Sequence, residues 1–550
     1  SIYLASRRVN YASALHSAIA HSDHEQIRRL LTEAERQIEL ALAGALSDTD
    51  RDIATGIYVS ILRAKFVEFD DQSALDAIQH LDPVDQLADR PAASLRRGIS
   101  AGLARDRELE ERHLLRALRQ GVSSRPAIAV NAAALLSDHG LRRSAAGDMG
   151  PGLNLVTEAA TTAFAVRDAV QLAGQTPTSE VSWYRDLDGI GEALAHCHLH
   201  ANNAPAALTA VESNRASFLG RMLPDETDGH PCLVYLWSTP VGVGILGISR
   251  NGALRSEIVT GLTTDDLTVH AAAISNAARN GQTPIGQVDA ALEQLDTHLG
   301  PALKTIIGDH HHICISATGP LASLPLPAIA IDDTPIAQRH LVTFGLTRAT
   351  AAWAAGHDQE LVAPNSIVSF ADPSPSPGHQ LPAAVAESTY LASEQNRRHG
   401  FDATPTAFMN AISDTGTVHA ALHASTAAYD PLSSRLHLAG GPLHVQTLLN
   451  KAPYSARLVI LSACETSMPA SNAADQSLAI ASTLHAGGIP GVLGSLWSVG
   501  DVHSAELVCA FVDRLKRGEA PALALQNTQA DLRQRGIHPA RWAAYQLLGS

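Results

Sequence analysis

Two short apolar runs end on residues that can do covalent chemistry. Residues 458–461 (LVIL) form a continuous apolar stretch, followed by the small Ser462 and Ala463 and then by Cys464. Such a run reads as a strand buried on both faces, as in the centre of a parallel sheet. Residues 417–424 (TVHAALHA) form a second short strand, and it ends on His423. The 41 residues that separate His423 from Cys464 leave room for a loop and a crossover helix between neighbouring parallel strands. Open α/β sheets place ligands at the carboxyl ends of their parallel strands. A thiol and an imidazole at adjacent strand ends can form a nucleophile–base pair. A free thiol titrates near about 8.5, so the thiolate needs a nearby imidazolium to be populated at neutral pH.

The elements around this pair alternate. A strand at 366–371 leads to Asp372, an exposed loop follows at 373–382, and a helix is expected from Pro382 to Gly400. After the Cys464 strand, Asp475 can cap a helix at 476–486 that Gly487 terminates. A strand at 491–496 comes next. Asp501 can cap a helix whose apolar set is Val508, Phe511, Val512 and Leu515, and two further helices are expected at 520–535 and 539–548. Strand alternating with helix predicts a parallel α/β sheet with right-handed crossovers. Asp372, Asp475 and Asp501 each sit at or just beyond a strand end. They read either as caps and turn formers or as carboxylates lining a pocket for a basic side chain. Ser433 and Ser434 follow the His423 strand and shape a loop on the substrate side.

Upstream, residues 1–223 read as helices. Ser22 with Glu25 forms a capping box, and Ile27, Leu30, Leu31, Ala34 and Ile38 recur at helical spacing. Breakers at 147–152 and 174–179 separate further periodic segments, so the region reads as a degenerate array of helical hairpins without a clean repeat consensus. From Pro231 the pattern changes to a strand hairpin, helices at 264–280 and 286–299, and a strand at 312–317. Gly242, Gly244 and Gly247 match G-x-G-x-x-G, but they lie inside a strand pattern with the Asn251–Gly252 turn after them, which suits a tight hairpin better than a dinucleotide site.

Composition narrows the function. The net charge is −15, which argues against non-specific nucleic-acid binding. Five cysteines in 550 residues make no disulfide scaffold, and their spacing is not that of a metal site. His196 and His200 share a helical face while His198 points away, and His310–His312 alternate sides of a strand, so neither group converges on a metal. No cofactor and no metal are expected. No signal segment or membrane span is read, and a reducing, cytoplasmic compartment is expected.

The motifs VHAALHA with DPLSSRLHLAGGPL, LVILSACET, GGIPGVLGSLWSVGD and HPARWAAYQLLG, together with ISATGPLASLPLPAI upstream, resemble the CHAT family of caspase-like (clan CD) cysteine peptidases. The resemblance covers the last three-fifths of the chain. It implies an α/β caspase-like fold there, preceded by an all-α region similar to tetratricopeptide repeats. It divides the chain into a helical recognition or regulatory domain at 1–223, a non-catalytic caspase-like subdomain at 228–360, and a catalytic one at 361–550. It also implies a bacterial cysteine endopeptidase with Cys464 as nucleophile and His423 as its partner. The oxyanion would be held by the backbone N–H groups of Ala424 and Cys464, and the family usually has Gly where Ala424 stands. Asp372, Asp475, Asp501 and Ser433 would bind a protein or peptide substrate. A protein partner would act through the N-terminal helices. The alternative is a CHAT scaffold that assembles proteins without hydrolysis.

Overall fold

The computed structural model describes residues 24–44, 48–69, 71–80, 91–172, 187, 189–215, 231–280, 285–357, 367–373, 381–414, 416–425, 431–463, 479–497 and 499–549. The chain forms two compact units, one from residues 1–140 and 154–175 and the other from 141–153 and 176–550.

The first unit is helical. It holds α1 (His24–Leu42), α2 (Asp48–Phe69), α3 (Gln72–His80), α4 (Pro91–Leu103), α5 (Arg107–Ser124), most of α6 (Pro126–Ala145) and most of α7 (Met149–Leu172). The expected stripe of α1 is its buried face: Leu31, Ala34 and Ile38 pack on Ala54 and Ile61 of α2. Ser22, half of the expected capping box, lies outside the described residues. Asp106 caps α5 by accepting the Leu109 N–H at 3.1 Å, and Glu108 and Glu110 stand in the positive first turn. A Cβ on Gly98 of α4 would lie 2.6 Å from Leu114 of α5, so glycine sets the close approach of these two helices.

The second unit is built on an eleven-stranded sheet of order β3-β2-β1-β4-β7-β16-β15-β14-β10-β8-β9. Two helices open it, α8 (Ile190–His200) and α9 (Ala204–Asn214). Then come β1 (Cys232–Thr239), β2 (Gly242–Ile248), β3 (Leu254–Val259), α10 (Thr264–Asn280), α11 (Ile285–Ile307) and β4 (His312–Ala317). A two-stranded ribbon, β5 (Ala330–Ile331) with β6 (Thr334–Pro335), precedes α12 (Ile336–Arg339), β7 (Leu341–Phe344) and α13 (Arg348–His357). Leu199 and Ala207 of the opening helices share one apolar cluster with Leu233, Tyr235 and Trp237 of β1. The glycines of the G-x-G-x-x-G match do lie in a strand. A Cβ on Gly244 would come within 2.2 Å of the Trp237 indole, and one on Gly247 within 2.5 Å of Ile306, which accounts for two of the glycines by packing.

The other half of the sheet comes from β8 (Val368–Ala371), α14 (Pro382–Leu391), β9 (Arg397–His399), α15 (Pro405–Ser413), β10 (Thr417–Ala421) and β14 (Leu458–Ser462), then α17 (Ile480–Ala486), β15 (Gly491–Ser495), α18 (Asp501–Lys516), α19 (Pro521–Gln534), α20 (Pro539–Trp542) and β16 (Tyr545–Gly549). Between β10 and β14 lie β11 (Ala424–Ser425), β12 (Arg435–Leu438), β13 (Gly441–His444) and α16 (Val445–Lys451). The three strands form a separate small sheet, so the crossover is more than a loop and a helix. Two sequence expectations are corrected here. The helix from Pro382 ends at Leu391, and β9 follows it as an edge strand. The helix expected at 539–548 stops at Trp542, and the YQLLG run after it is a fully buried strand. A short apolar run bounded by a turn has no periodicity that separates buried helix from buried strand.

β16 closes the sheet. It runs parallel to β7 and antiparallel to β15. The parallel strands β1, β4 and β7 therefore run opposite to β15, β14, β10, β8 and β9, and their carboxyl ends lie at opposite edges. Arg215, which follows α9, is buried at the carboxyl ends of β1 and β4. Its guanidinium donates to Leu236 O at 2.7 Å, to Ser316 O and Oγ, and to Thr318 Oγ1 at 3.1 Å.

Candidate active site

β10 and β14 are parallel neighbours, with Ala421 in register with Ser462. Two residues beyond this last registered pair, the sequence reaches His423 after the one strand and Cys464 after the other. Both strands are almost wholly buried, which fits their apolar sequences. β10 ends at Ala421, so His423 stands just outside the strand, between the large sheet and the small one. It is half-buried, and its carbonyl accepts the His437 N–H at 2.9 Å. Ala424 pairs with Leu436 of β12. Cys464 and Asp475 lie outside the described residues.

The small sheet adds two imidazoles that the sequence reading did not single out. His437 Nε2 lies 2.6 Å from Ser425 Oγ, and His444 Nδ1 lies 3.3 Å from the carbonyl of Ser433. Burial, then the charges of Arg435, His423 and His444, hold His437 below its ordinary value. A proton arriving among these histidines is therefore disfavoured on His437. Ser433 ends a 3₁₀ turn at Pro431–Ser433 and is half-buried.

Two of the expected carboxylates meet at one helix end. Asp372 follows β8 with φ +42°, a left-handed backbone that Asp tolerates better than most residues. Its N–H donates to Ala421 O at 3.2 Å, and its Oδ1 accepts the Leu381 N–H at 3.2 Å. Asp501 is the first residue of α18 rather than its cap, which is Gly500. Its Oδ2 accepts the Ala383 N–H of α14 at 2.9 Å. It thus caps a neighbouring helix instead of its own, a correction that local spacing could not have supplied. Ala371, Ala384 and Ala421 form a small apolar cluster that lets α14 approach the strand ends.

The sequence reading also passed over a buried polar chain beneath these strand ends. His419 of β10 bonds through Nε2 to Glu387 Oε1 at 2.8 Å and through Nδ1 to Ser369 Oγ at 2.8 Å. Ser462 of β14 donates to Glu387 Oε2 at 3.1 Å. The available signal was Ser369, His419 and Ser462 inside otherwise apolar strands, where a polar residue needs a partner. The four described cysteines, Cys197, Cys232, Cys314 and Cys509, are held above their usual value by burial, the first two at about 11 and the others at about 12.

Residues 289–550 match the family model described as the CHAT domain. The match covers just under half of the chain, where the structure has a parallel-rich sheet flanked by helices, preceded by a helical region. No curated protein matches the sequence. Similar solved structures include the separase–securin complex of Saccharomyces cerevisiae, at 9% identity and TM-score 0.49, covering 98% of this chain and 48% of that one. The complex of the pro- and mature domains of RgpB from Porphyromonas gingivalis is similar at 9% identity and TM-score 0.30, covering 52% and 76% of the two chains. The Arg-specific cysteine proteinase gingipain R (RgpB) is similar at 9% identity and TM-score 0.30, covering 60% and 79%. The chain spans about half the length of the separase-complex chain it matches. Among the described residues, no helix is long and apolar enough to cross a membrane.

Proposed function

We propose that the chain is a cysteine endopeptidase of the CHAT type that cleaves a protein substrate in the cytoplasm of a bacterium. The observation that supports this reading is the register of β10 with β14, whose last pair, Ala421 and Ser462, is followed two residues on in sequence by His423 and Cys464. The Cys464 thiolate attacks the scissile carbonyl, and the N–H groups of Ala424 and Cys464 hold the oxyanion. His423 protonates the leaving amine, and water hydrolyses the acyl-enzyme. Asp372, Asp475, Asp501 and Ser433 flank the substrate and favour a basic residue at the point of cleavage. Asp372 and Asp501 each hold the start of α14 with one carboxylate oxygen. In this reading residues 361–550 carry catalysis and 228–360 support them. Residues 1–223 take a protein partner that governs turnover.

The test is labelling with a library of peptidyl acyloxymethyl ketones, read by intact mass, on wild type, Cys464→Ala and His423→Ala. Labelling of the wild type, lost in both variants and strongest with Arg or Lys in the terminal position, is the expected result. A wild type that stays unlabelled both alone and in lysate of its source cell would leave a non-hydrolytic scaffold as the better reading.

A further inference from the structure

Glu387 lies on α14, one turn before its end, and is 2% exposed. Its two carboxylate oxygens go to two different strands. Oε1 takes His419 of β10, and Oε2 takes Ser462 of β14. Each of these residues stands shortly before a member of the proposed dyad: His419 four residues before His423, Ser462 two before Cys464. One carboxylate thus bridges the two strands whose ends would have to meet.

The surrounding hydroxyls fix the direction of the bonds. Ser462 spends its hydrogen on Glu387, so the Ser504 hydroxyl 2.8 Å away must donate to Ser462, and the Tyr545 hydroxyl must donate to Ser504. On the other side Ser369 donates to Ser388 Oγ at 2.7 Å, so its contact with His419 Nδ1 is one that it accepts. His419 therefore carries hydrogen on Nδ1. With Glu387 it forms an imidazolium–carboxylate pair or the neutral pair that one proton shift produces, and the unit is uncharged overall in either form. Ser388 Oγ in turn meets His399 Nε2 at 2.8 Å. The chain crosses β16, α18, β14, α14, β10, β8 and β9. His419, Ser369 and Ser388 are fully buried, and Tyr545 is nearly so.

Backbone pairing alone would hold β10 beside β14, and apolar side chains of the same volume would fill the space at least as favourably. What a satisfied buried network adds is a single geometry. We propose that Glu387 is a positioning residue: its carboxylate, held between His419 and Ser462, fixes how the carboxyl ends of β10 and β14 face each other and so aligns His423 with Cys464. This rests on the peptidase reading above, deepens it, and assigns Glu387, His419 and Ser462 no contact with substrate.

The test is the pH dependence of Cys464 alkylation by iodoacetamide, followed by peptide mass spectrometry on the full chain. The readout needs no substrate and no activating partner. The four described thiols, none of them Cys464, are pushed by burial to about 11 to 12 and are expected to alkylate slowly at neutral pH. His423→Ala is expected to raise the apparent pKa of Cys464 toward the free-thiol value of about 8.5. Glu387→Gln is expected to raise it by about one unit, a tenfold loss of rate at neutral pH, and Ser462→Ala to raise it in the same direction, with cooperative thermal unfolding retained. The Glu387–His419 unit carries no net charge, so the substitution removes none, and a rise in the thiol's pKa reports lost alignment. Wild-type profiles in both variants, or a downward shift in Glu387→Gln, would overturn the positioning role while the His423→Ala shift keeps the dyad. An unchanged profile in His423→Ala would sink the peptidase reading and this inference together. Should Glu387→Gln not fold, Ser462→Ala, which keeps the Glu387–His419 contact, decides.

Discussion

His196, His312 and His485 are buried far enough that their imidazoles stay neutral well into acid. Burial pushes His196 down to about 3 and His312 and His485 to about 4. In the unfolded chain each takes its proton near about 6.5. Between those values the unfolded state binds more protons than the folded one, so stability is complete above about pH 6.5 and is lost as pH falls toward 4, on the order of 3 kcal/mol per group. The urea midpoint should fall steeply over that interval, and His485→Gln should reduce the slope by about one proton. An unchanged slope would mean that His485 already titrates normally. At this scale the sequence exposes reactive types and hides partners. Cys464 and His423 stand out because chemistry needs those residue types at strand ends. Glu387 is seventy-five residues from Ser462 in sequence, and no spacing rule joins them.

At the scale of elements, periodicity served well wherever a stretch was long. The helix at Thr264–Asn280 and the strand at His312–Ala317 fall where the pattern places them. It could not type the short buried run that became β16. Nor does periodicity report what anchors a helix to a sheet. Arg215 does so after α9, with a planar fork that bonds two strand ends at once and lies over the Tyr235 ring at 5.2 Å. Arg215→Ala is expected to cost roughly 3–5 kcal/mol, because it leaves several buried carbonyl and hydroxyl groups without their donor. Arg215→Lys should recover less than half, since an ammonium cannot span both strand ends. All five tryptophans belong to this unit, so urea unfolding followed by tryptophan fluorescence reads it directly. Full recovery in the lysine variant would show that charge rather than shape matters.

For the molecule as a whole, the parallel sheet was legible and its reversal was not. Alternation of strand and helix predicts parallel neighbours within each half, and β4 with β7 and β10 with β14 are such pairs. That the halves run in opposite directions depends on β16, which the sequence disguised as helix. β16 pairs with β7 on one side and with β15 on the other. A chain cut after Ala544 is therefore expected to lose cooperative unfolding of the sheet unit and to be cleaved by protease within both halves. Native-like protease resistance in that truncation would mean that the halves adhere without the strand.

The same strand has a bearing on how the protein is made. A ribosome delivers the strands in sequence order, and the one that joins the halves is the sixteenth of the sixteen among the described residues. Until it emerges, β7 and β15 present open inner edges, the kind of surface that recruits strands from other chains. The β7 edge must wait for the whole interval between synthesis of β7 and synthesis of β16, about two hundred residues, and the β15 edge for about fifty. At elongation rates of roughly 5–20 residues per second the β7 wait is on the order of ten seconds or more, long enough for a chaperone to meet the open edge before β16 does.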